Sequence, residues 1–591
     1  MILQALNDLY PRLADDPTYE IPAPGFSPQK ISFCVVIEAD GSVVDIQDAR
    51  TPDAKGKMQS TSKLVPGEAK PPGSGVNPCF LWDNQTYILG RQPEDKPAGF
   101  GLKRFEAFRD RHLALEEAIN VPEFSAVCRF LESWSPERIA EFPHLAELET
   151  GFGIFRLRGE KHAVHELPAI REWWLRNLGG DEGGAVRGLC LVTGEEGLIA
   201  RLHPKIKGIP GAQAAGASLV SFNASAYDSY GKDHEQGLNS PVNEEVAFRY
   251  GAVLNSLLTG PQSRKHRFRL GDTTVVFWTE TRNIVEDYFA EIFSEGSQAL
   301  IEVQDVARRA QIERLLTAVR DGTGYREFDD GETKFYILGL APNAARLSIR
   351  FFHRSTVTDL LQRLHEHHQC IQIVPSFTEQ KGSRYPDPEF PALWQILRET
   401  ARVADEIPPL LGGALARAVV EGTPYPEGLF DAIIRRIRAD RSVNYLRAAT
   451  LKAILVRNQK HTIPTMLDTE NTDPAYLLGR LFAAFEKTQD EALPSLNAGI
   501  RDKFYSSASA TPAAVFPRLL QTYTHHLGKL SKGAEIVRER LIQEILSGIG
   551  SGGFPKQLSL KDQGVFAIGY YHQRKDLFTK KDDQVPASQS E

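Results

Sequence analysis

The pattern of apolar residues changes once along this chain, and that change constrains the fold more than any other feature. Before about residue 392, short apolar runs flank turn residues, as Ile31–Glu38 and Ser42–Ile46 flank Asp40 and Gly41. Such pairs are typical of antiparallel hairpins. After residue 392 the apolar period is helical almost throughout, as in Tyr445–Val456. We therefore predict an α+β fold, in which a mixed α/β body with antiparallel hairpins is followed by an all-helical C-terminal bundle.

The change of period also sets the predicted domain boundaries. We expect an N-terminal body over residues 1–390, a helical bundle over residues 391–575 and a flexible tail over residues 576–591. A chain of 591 residues has room for several domains of about 150 residues each. The glycine-rich run Gly548–Pro555 interrupts the helical region, and the polar tail is expected to fray.

Other hairpins are predicted where apolar runs flank turn residues. These are Phe80–Trp82 with Thr86–Leu89, Gly188–Thr193 with Leu198–His203, His266–Leu270 with Thr273–Thr279, and Lys334–Leu340 with Leu347–Phe352. Between the first two hairpins, Thr51–Pro78 has few large apolar residues and is expected to form a long surface loop. A helix is expected to begin near Ser355–Asp359.

Charge and cysteine content restrict the possible partners and location. The chain has 69 basic and 76 acidic residues, whereas a protein that coats nucleic acid by charge alone is usually basic overall. A nucleic-acid role must therefore rest on local patches or on a partner. No run of 18 apolar residues occurs, the start has no basic signal-peptide region, and the five cysteines form no CxxC pair. We expect a cytoplasmic protein of a bacterium with reduced thiols.

The segment from residue 205 to 243 is unusually rich in small residues and side-chain amides. Glycine lets the backbone approach a ligand closely, and amides can read base edges. The alternative is an irregular connection whose amides bond its own backbone. No GxxxxGK[S/T] motif occurs, so no triphosphate site is predicted. The candidate contact residues are Gly208, Gly211, Gln213, Gly216, Asn223, Lys232, Gln236, Asn239 and Asn243.

Two groups of basic residues are candidates for phosphate contacts. In each case a solvated or acid-paired surface is the alternative. The N-terminal group is Lys55, Lys57, Lys63, Lys70, Arg91, Lys103 and Arg104, together with Lys205 and Lys207. The second group lies on the helical pair over residues 430–457, where spacings of three place several arginines on one face, and it comprises Arg435, Arg438, Arg441, Arg447 and Lys452.

Catalytic motifs are absent from the sequence. The run His365–Cys370 contains three histidines, which suggests a metal-dependent hydrolase as a minor alternative, but a zinc site needs further ligands from elsewhere. Neither HExxH nor GxSxG occurs. We expect no catalytic residue, no resident metal and no cofactor.

Several long segments resemble a known family. Ser218–Leu258, Tyr425–Asn458, Ala475–Leu520 and Leu558–Arg574 are similar to the large subunit of the type I-C CRISPR effector complex, the Cascade of the Dvulg subtype. The opening hairpin, with its ISFCVVIEADG sequence, and the NPCFLWDNQTYILG segment also fit. The resemblance extends from end to end of the chain.

This resemblance implies a non-catalytic subunit of an RNA-guided complex. The partners it implies are repeated backbone subunits with a CRISPR RNA, an RNA-processing subunit, double-stranded target DNA and a helicase-nuclease. The implied roles are recognition of the protospacer-adjacent motif, R-loop formation, contact with the displaced strand and nuclease recruitment. A scaffold subunit without base contacts is the alternative. The helical bundle is similar to small subunits of related complexes.

The family resemblance also implies a separate small subunit made by internal translation. Only three methionines occur, Met1, Met58 and Met466. A start at Met466 would give a product that covers residues 466–591, which is a plausible size for a compact helical domain, and a nearby non-AUG start is the alternative.

Overall fold

The computed structural model describes residues 1–52, 56–67, 75–148, 151–177, 186–229, 235–298, 300, 303–329, 331–376, 386–550 and 552–578. Helix accounts for about 52% and strand for 15%, with the sheets in the N-terminal half and helices in the C-terminal half. The predicted α+β class is therefore confirmed. Among the described helices, none combines the length and apolar character needed to cross a bilayer.

The chain folds into two compact units that do not follow the predicted boundary. One comprises Leu3–Pro204 and Phe222–Val253, and the other comprises Lys205–Ser221 with the chain from Leu254 onward. Residue 390 thus lies inside the second unit. The physical reason is a shared core, because sheet residues such as Phe277 and helical residues such as Leu478 belong to one buried apolar cluster.

The first unit is built on a five-stranded sheet. Strand β1 pairs antiparallel with β2 and β5 and parallel with β7, and β6 forms the far edge beside β7. Short pairs β3–β4 and β8–β9 lie outside this sheet. The strands are β1 Phe26–Ile37, β2 Val43–Asp48, β3 Thr51–Pro52, β4 Met58–Gln59, β5 Thr61–Pro66, β6 Trp82–Asn84, β7 Phe152–Leu157, β8 Arg187–Leu189 and β9 Glu196–Leu198.

Helices cover the central strand of this sheet. Phe33 and Val35 of β1 belong to one buried apolar cluster and Val36 to another, so β1 is buried on both faces. The helices of the N-terminal part are α1 Ile2–Ala14, α2 Gln85–Ile88, α3 Phe100–Leu113, α4 Glu116–Ile119, α5 Pro122–Ser133, α6 Pro168–Arg176 and α7 Glu244–Thr259.

Predictions for this part were only partly correct. The first hairpin is confirmed, with Val35 opposite Ile46. The predicted hairpin through residues 83–85 is wrong, because the side chain of Asn84 caps α2, accepting a hydrogen bond from the amide of Thr86 at 3.0 Å. The expected surface loop is also wrong in part, since β5 pairs with the first half of the twelve-residue β1. The hairpin β8–β9 is confirmed but shorter than predicted.

A buried histidine fixes the segment before β6. Leu81 has a left-handed backbone, with φ of 60°, and its amide donates to Nε2 of His112 at 2.9 Å. Because Nε2 accepts, Nδ1 carries the proton and donates to the carbonyl of Phe108 at 2.7 Å. His112 is fully buried, and this burial lowers its pKa to about 3. The imidazole is therefore a neutral anchor.

This anchor predicts a loss of stability in mild acid. The folded pKa of His112 lies below the ordinary value of 6.5, so protons bind the unfolded state and stability falls as pH drops from about 6.5 toward 3. Between pH 7 and 5 one such group costs about 2 kcal/mol. The free energy of unfolding would be measured by urea titration at pH 7 and at pH 5. Between these pH values, it should fall by about 2 kcal/mol less in His112→Gln than in the wild type. The exposed, non-titrating control Gln557→Ala should lose as much stability as the wild type between these pH values, and an unchanged loss in His112→Gln would contradict the assignment.

The second unit contains a six-stranded sheet in the order β10-β11-β15-β14-β13-β12. Strands β12 to β15 form an antiparallel meander, and β11 joins β15 in parallel. The predicted hairpins here are confirmed, and the last one turns at Ala344, between Asn343 and Arg346. The strands are β10 Lys205–Ile206, β11 Ala217–Ser218, β12 Arg267–Leu270, β13 Thr273–Thr279, β14 Lys334–Asn343 and β15 Arg346–Thr356.

The remaining helices follow the predicted helical period. The helix expected near residues 355–359 begins at Val357, capped by Thr356. From residue 393 onward the described ordered elements are helical. The helices are α8 Ser263–His266, α9 Ile284–Glu295, α10 Val306–Asp321, α11 Val357–Ile371, α12 Leu393–Arg398, α13 Pro409–Glu421, α14 Glu427–Asp440, α15 Tyr445–Gln459, α16 Pro474–Ala492, α17 Ile500–Ala508, α18 Pro512–Leu527, α19 Lys532–Gly548 and α20 Leu560–Phe578.

Helices α16 and α20 pack most closely where each has a glycine. A Cβ on Gly479 would lie 2.1 Å from the carbonyl oxygen of Phe566, and a Cβ on Gly569 would lie 2.2 Å from that of Tyr476. These distances are far below van der Waals contact, so the two backbones approach as closely as glycine allows. Arg480, 1% exposed, adds a buried bond to Gln573 across the same interface.

Candidate nucleic-acid interface

The glycine-rich segment forms a tight loop between β10 and β11. Gly208 and Gly216 have left-handed φ values of 84° and 98°. A Cβ on Gly208 would lie 2.4 Å from Cγ2 of Thr259, so the loop lies directly against the end of α7. Only glycine fits this conformation and this distance. The loop therefore has a defined shape.

One residue that the sequence analysis missed holds this loop in place. The side-chain oxygen of Asn255, on α7, accepts from the amide of Lys207 at 2.8 Å, and its nitrogen donates to the carbonyl of Lys205 at 3.0 Å. The side chains of Lys207 and Gln213 remain exposed, whereas Nζ of Lys205 donates to the hydroxyl of Ser218 at 2.7 Å. Asn255 thus fixes the backbone that carries the exposed ammonium of Lys207, and the amide of Gly216 donates to the carbonyl of Gln213 at 2.9 Å in the turn that carries the exposed side-chain amide.

The amide-rich half of the segment belongs to the first unit, where Asn239 bonds its own segment and the side-chain oxygens of Gln236 and Asn243 are buried without a hydrogen-bond partner among the described residues. Oδ1 of Asn239 accepts from the amide of Ser229 at 2.8 Å, and its nitrogen donates to the carbonyl of Gln236 at 3.1 Å. The backbone amide of Asn243 donates to Sγ of Cys190 at 3.3 Å. Asn223 is exposed, and Lys232 lies outside the described residues. For Asn239, the alternative of amides that satisfy their own backbone is the better description.

Some of the N-terminal basic candidates are bonded within the fold, and others have exposed side chains. Arg91 donates to Oε1 of Gln85 and to the carbonyl of Leu145, both at 2.8 Å. Arg104 is buried with its guanidinium 3.4 Å from the ring centroid of Phe100. These two arginines stabilise the fold and are not placed to contact phosphate. The side chains of Lys57 and Lys103 are exposed. Nζ of Lys63 lies 3.6 Å from the carboxylate of Glu166. Lys55 and Lys70 lie outside the described residues.

The basic residues of α14 and α15 also divide into two sets. Arg447, 7% exposed, donates to Glu399 at 2.7 Å and to Asp440 at 2.6 Å. Lys452, 2% exposed, donates to the carbonyls that end α11, and burial lowers its pKa. Both side chains bond other parts of the protein, which corrects the prediction that they contact the displaced DNA strand.

The outer face of α14 keeps an exposed basic character. Arg435 is exposed, and Arg438 is half-buried with its guanidinium donating to the side chain of Gln563 on α20. Arg441 is exposed but lies just past the end of α14 with a left-handed backbone, φ 53°, so it does not share the predicted helix face. The hydroxyl of Ser506 on α17 donates to the carbonyl of Arg438 at 3.3 Å. Helices α17 and α20 therefore flank the end of this arginine-bearing face.

A comparison with protein-family models decides the broader assignment. Residues 6–578 match the model of the CRISPR-associated protein family Cas_Csd1. The chain belongs to this family. Membership indicates a CRISPR-associated effector subunit that works in a Cascade complex, in antiviral defense. A search of curated proteins returned no significant match.

In this Cas_Csd1 protein, two further exposed lysines lie on the helices that flank α14. Lys503 lies one turn before Ser506 on α17, and Lys561 lies two residues before Gln563 on α20. Both side chains are exposed. The sequence analysis missed them because each is a single lysine in its own helix, and only the contacts of Ser506 and Gln563 with Arg438 bring these two helices against α14.

The histidine run of this Cas_Csd1 chain has structural partners. Nδ1 of His365 lies 2.8 Å from the carbonyl of Val319, and Nδ1 of His367 lies 2.6 Å from the hydroxyl of Tyr425. The ring of His368 stacks on Phe390 with 4.4 Å between centroids. The three side chains thus contact different elements. In the part of the chain that the structure describes, no three His, Cys, Asp or Glu side chains are grouped to hold a metal ion.

Proposed function

We propose that this chain is the non-catalytic large subunit of a type I-C CRISPR effector complex. In that complex it recognises the protospacer-adjacent motif in duplex DNA and promotes R-loop formation. The observation that carries this proposal is the family match over residues 6–578. Pairing with the guide RNA reads the target in such complexes, so the protein needs to read only a short motif. A net charge of −7 is compatible with this task, because other subunits hold the RNA.

For motif recognition we favour the rigid loop between β10 and β11. A short motif is read best by side chains whose backbone is already fixed, because no ordering cost is incurred on binding. Gln213 can bond a base edge, and Lys207 can contact a phosphate. Asn255 positions the backbone of Lys207, and the turn closed by the amide of Gly216 positions that of Gln213. Asn223 remains a further candidate in the first unit, with Asn239 and Asn243 as residues that shape its segment.

For the displaced strand we favour the outer face of α14. Arg435 and Arg438 lie one turn apart on the helix and Arg441 follows its C-terminal end, and flexible single strands bind such cationic surfaces through their phosphates. Lys503 and Lys561 extend the positive charge onto the neighbouring helices. Recruitment of the helicase-nuclease is part of the same proposal, carried by the family alone.

A separate small subunit that begins at Met466 is also part of this proposal. Met466 is 59% exposed in the connection between α15 and α16. A product that begins there would contain α16 to α20 without cutting any helix. It would expose the α20 surface that packs on α15 in the full chain, and that surface would need a partner in the complex.

Two variants of the loop test the proposal in the assembled complex. Gln213→Ala should change the order of preference among motif sequences, with about 1–3 kcal/mol lost for the preferred base pair. Lys207→Ala should weaken binding to all sequences alike and reduce the salt slope by about one. Binding to matched duplexes with varied motifs would be measured at several salt concentrations.

The exposed residue Gln557 provides the matched control. Gln557→Ala should leave affinity, motif preference and salt slope unchanged. If neither loop variant differs from this control and the chain forms no crosslink to motif-containing duplex, the chain is a scaffold subunit without base contacts.

A further inference from the structure

The connection between α15 and α16 folds back to form a cleft of about 410 Å³ at the start of α16. Its lining includes His461, Thr462, Glu470, Thr472 and Val565. This volume is within the range of small-ligand sites. The connection directly precedes α16, and residues of both α16 and α20 complete the lining.

The walls of this cleft are fixed by their own hydrogen bonds. Asn471 donates to Asp468 at 3.1 Å and accepts from the amide of Asp473 at 2.9 Å. Asp473 caps α16 by accepting from the amide of Ala475 at 2.8 Å. The hydroxyl of Tyr476 accepts from the amide of Asp468 at 3.0 Å. The cleft is therefore formed before any ligand binds.

Carboxylates line the cleft and ammonium groups lie beside it. Glu470 is exposed on the wall of the cleft and Asp473 is half-buried, and the exposed Lys460 and Lys561 lie next to them. Lys460 directly precedes His461, and Lys561 lies one helical turn before the lining residue Val565. Because Asp473 already caps α16, Glu470 is the carboxylate that can accept hydrogen bonds from amino groups, and it repels phosphate. A ligand with amino groups at one end and phosphates at the other matches this arrangement.

We propose that this cleft binds one unstacked base of a single-stranded nucleic acid, with its flanking phosphates on Lys460 and Lys561. Ile463 and Val565 offer an apolar surface to the base, and Glu470, Thr462 and His461 offer groups for its edge. Bases with exocyclic amino groups suit Glu470 best. Burial and the ammonium of Lys561 lower the pKa of His461, which favours its neutral form. The inference rests on the proposed function, since the cleft-lining residue Val565 lies two residues after Gln563, which bonds Arg438 of the arginine face.

The test uses the full chain and a short single-stranded oligonucleotide that carries one 2-aminopurine, whose fluorescence rises when the base leaves the stack. Thr462→Trp fills the cleft from an exposed wall position. It should weaken binding at least about fivefold, the low end for loss of one bound base, and abolish the fluorescence rise. Thr469→Trp, exposed in the same connection but outside the lining, should do neither. Glu470→Gln should weaken cytosine- and guanine-containing strands more than thymine-containing ones.

The outcomes separate this inference from the proposed function. If Thr462→Trp behaves like Thr469→Trp while Arg435→Ala still weakens the strand, the cleft does not bind a base but the arginine face does. If the wild-type chain binds no single strand, both the cleft and the strand contact are wrong. If the cleft crosslinks to another protein subunit and not to DNA, its ligand is a basic side chain of that partner.

Discussion

Gly479→Ala is expected to destabilise the chain by about 3 kcal/mol, the upper end of the cost of overpacking a close-packed interface. The added methyl would lie 2.1 Å from the carbonyl oxygen of Phe566, and a backbone atom cannot move aside as a flexible side chain can. Gly569→Ala should have a similar effect, because its methyl would lie 2.2 Å from the carbonyl of Tyr476. The free energy of unfolding would be measured by urea titration.

Gly428 in α14 is the matched control for this prediction. It is also helical, but nothing lies within 4 Å of its Cβ position. Gly428→Ala should therefore stabilise the chain by up to about 1 kcal/mol, since alanine restricts the unfolded chain and favours helix. Wild-type stability in Gly479→Ala would mean that α16 and α20 do not cross at this distance.

Arg447→Ala is expected to cost about 3 kcal/mol of stability. Its guanidinium bonds two carboxylates and the carbonyl of Ser442. Its removal leaves Glu399 partly buried without its cation, whereas Asp440 keeps its ion pair with Arg436. Thermal unfolding would report this loss. Any weakening of nucleic-acid binding should scale with the fraction of unfolded protein.

Arg435 on the preceding helix is the matched residue for Arg447. It is exposed, so Arg435→Ala should change stability by less than about 0.5 kcal/mol. It should, however, reduce the salt slope of single-strand binding by about one. If Arg447→Ala kept full stability but weakened binding as Arg435→Ala is expected to do, the division of these arginines would be wrong.

The apolar period predicted the fold class because it is a local signal. A helical period over residues 445–456 requires a buried stripe whatever the helix packs against, and α15 confirms it. The strand β5 escaped prediction because its residues, Thr61–Pro66, have few large apolar side chains. Pairing with β1 is a long-range contact that the segment itself does not encode. The local sequence was also ambiguous at Asn84, because asparagine is suited equally to a turn and to a helix cap.

Neither the boundary between the two units nor the roles of the site residues could be predicted from the sequence, because both depend on contacts between residues that are far apart in the chain. Arg435 and Arg447 are the same residue type on adjacent helices, yet one is exposed and the other bonds Glu399, which lies 48 positions earlier. Likewise, Asn239 looked like a base-reading amide and bonds its own segment instead. The positioning role of Asn255 could have been suspected only from a polar residue within the apolar run of α7.

The central claim is that this chain reads duplex DNA for an RNA-guided complex. It is tested most directly by assembling the complex with and without the chain and measuring binding to guide-matched duplexes that carry or lack the motif. The account predicts that motif discrimination is lost when the chain is omitted, and that the chain crosslinks to the motif bases in the complete complex. Undiminished discrimination in the complex that lacks the chain would contradict it.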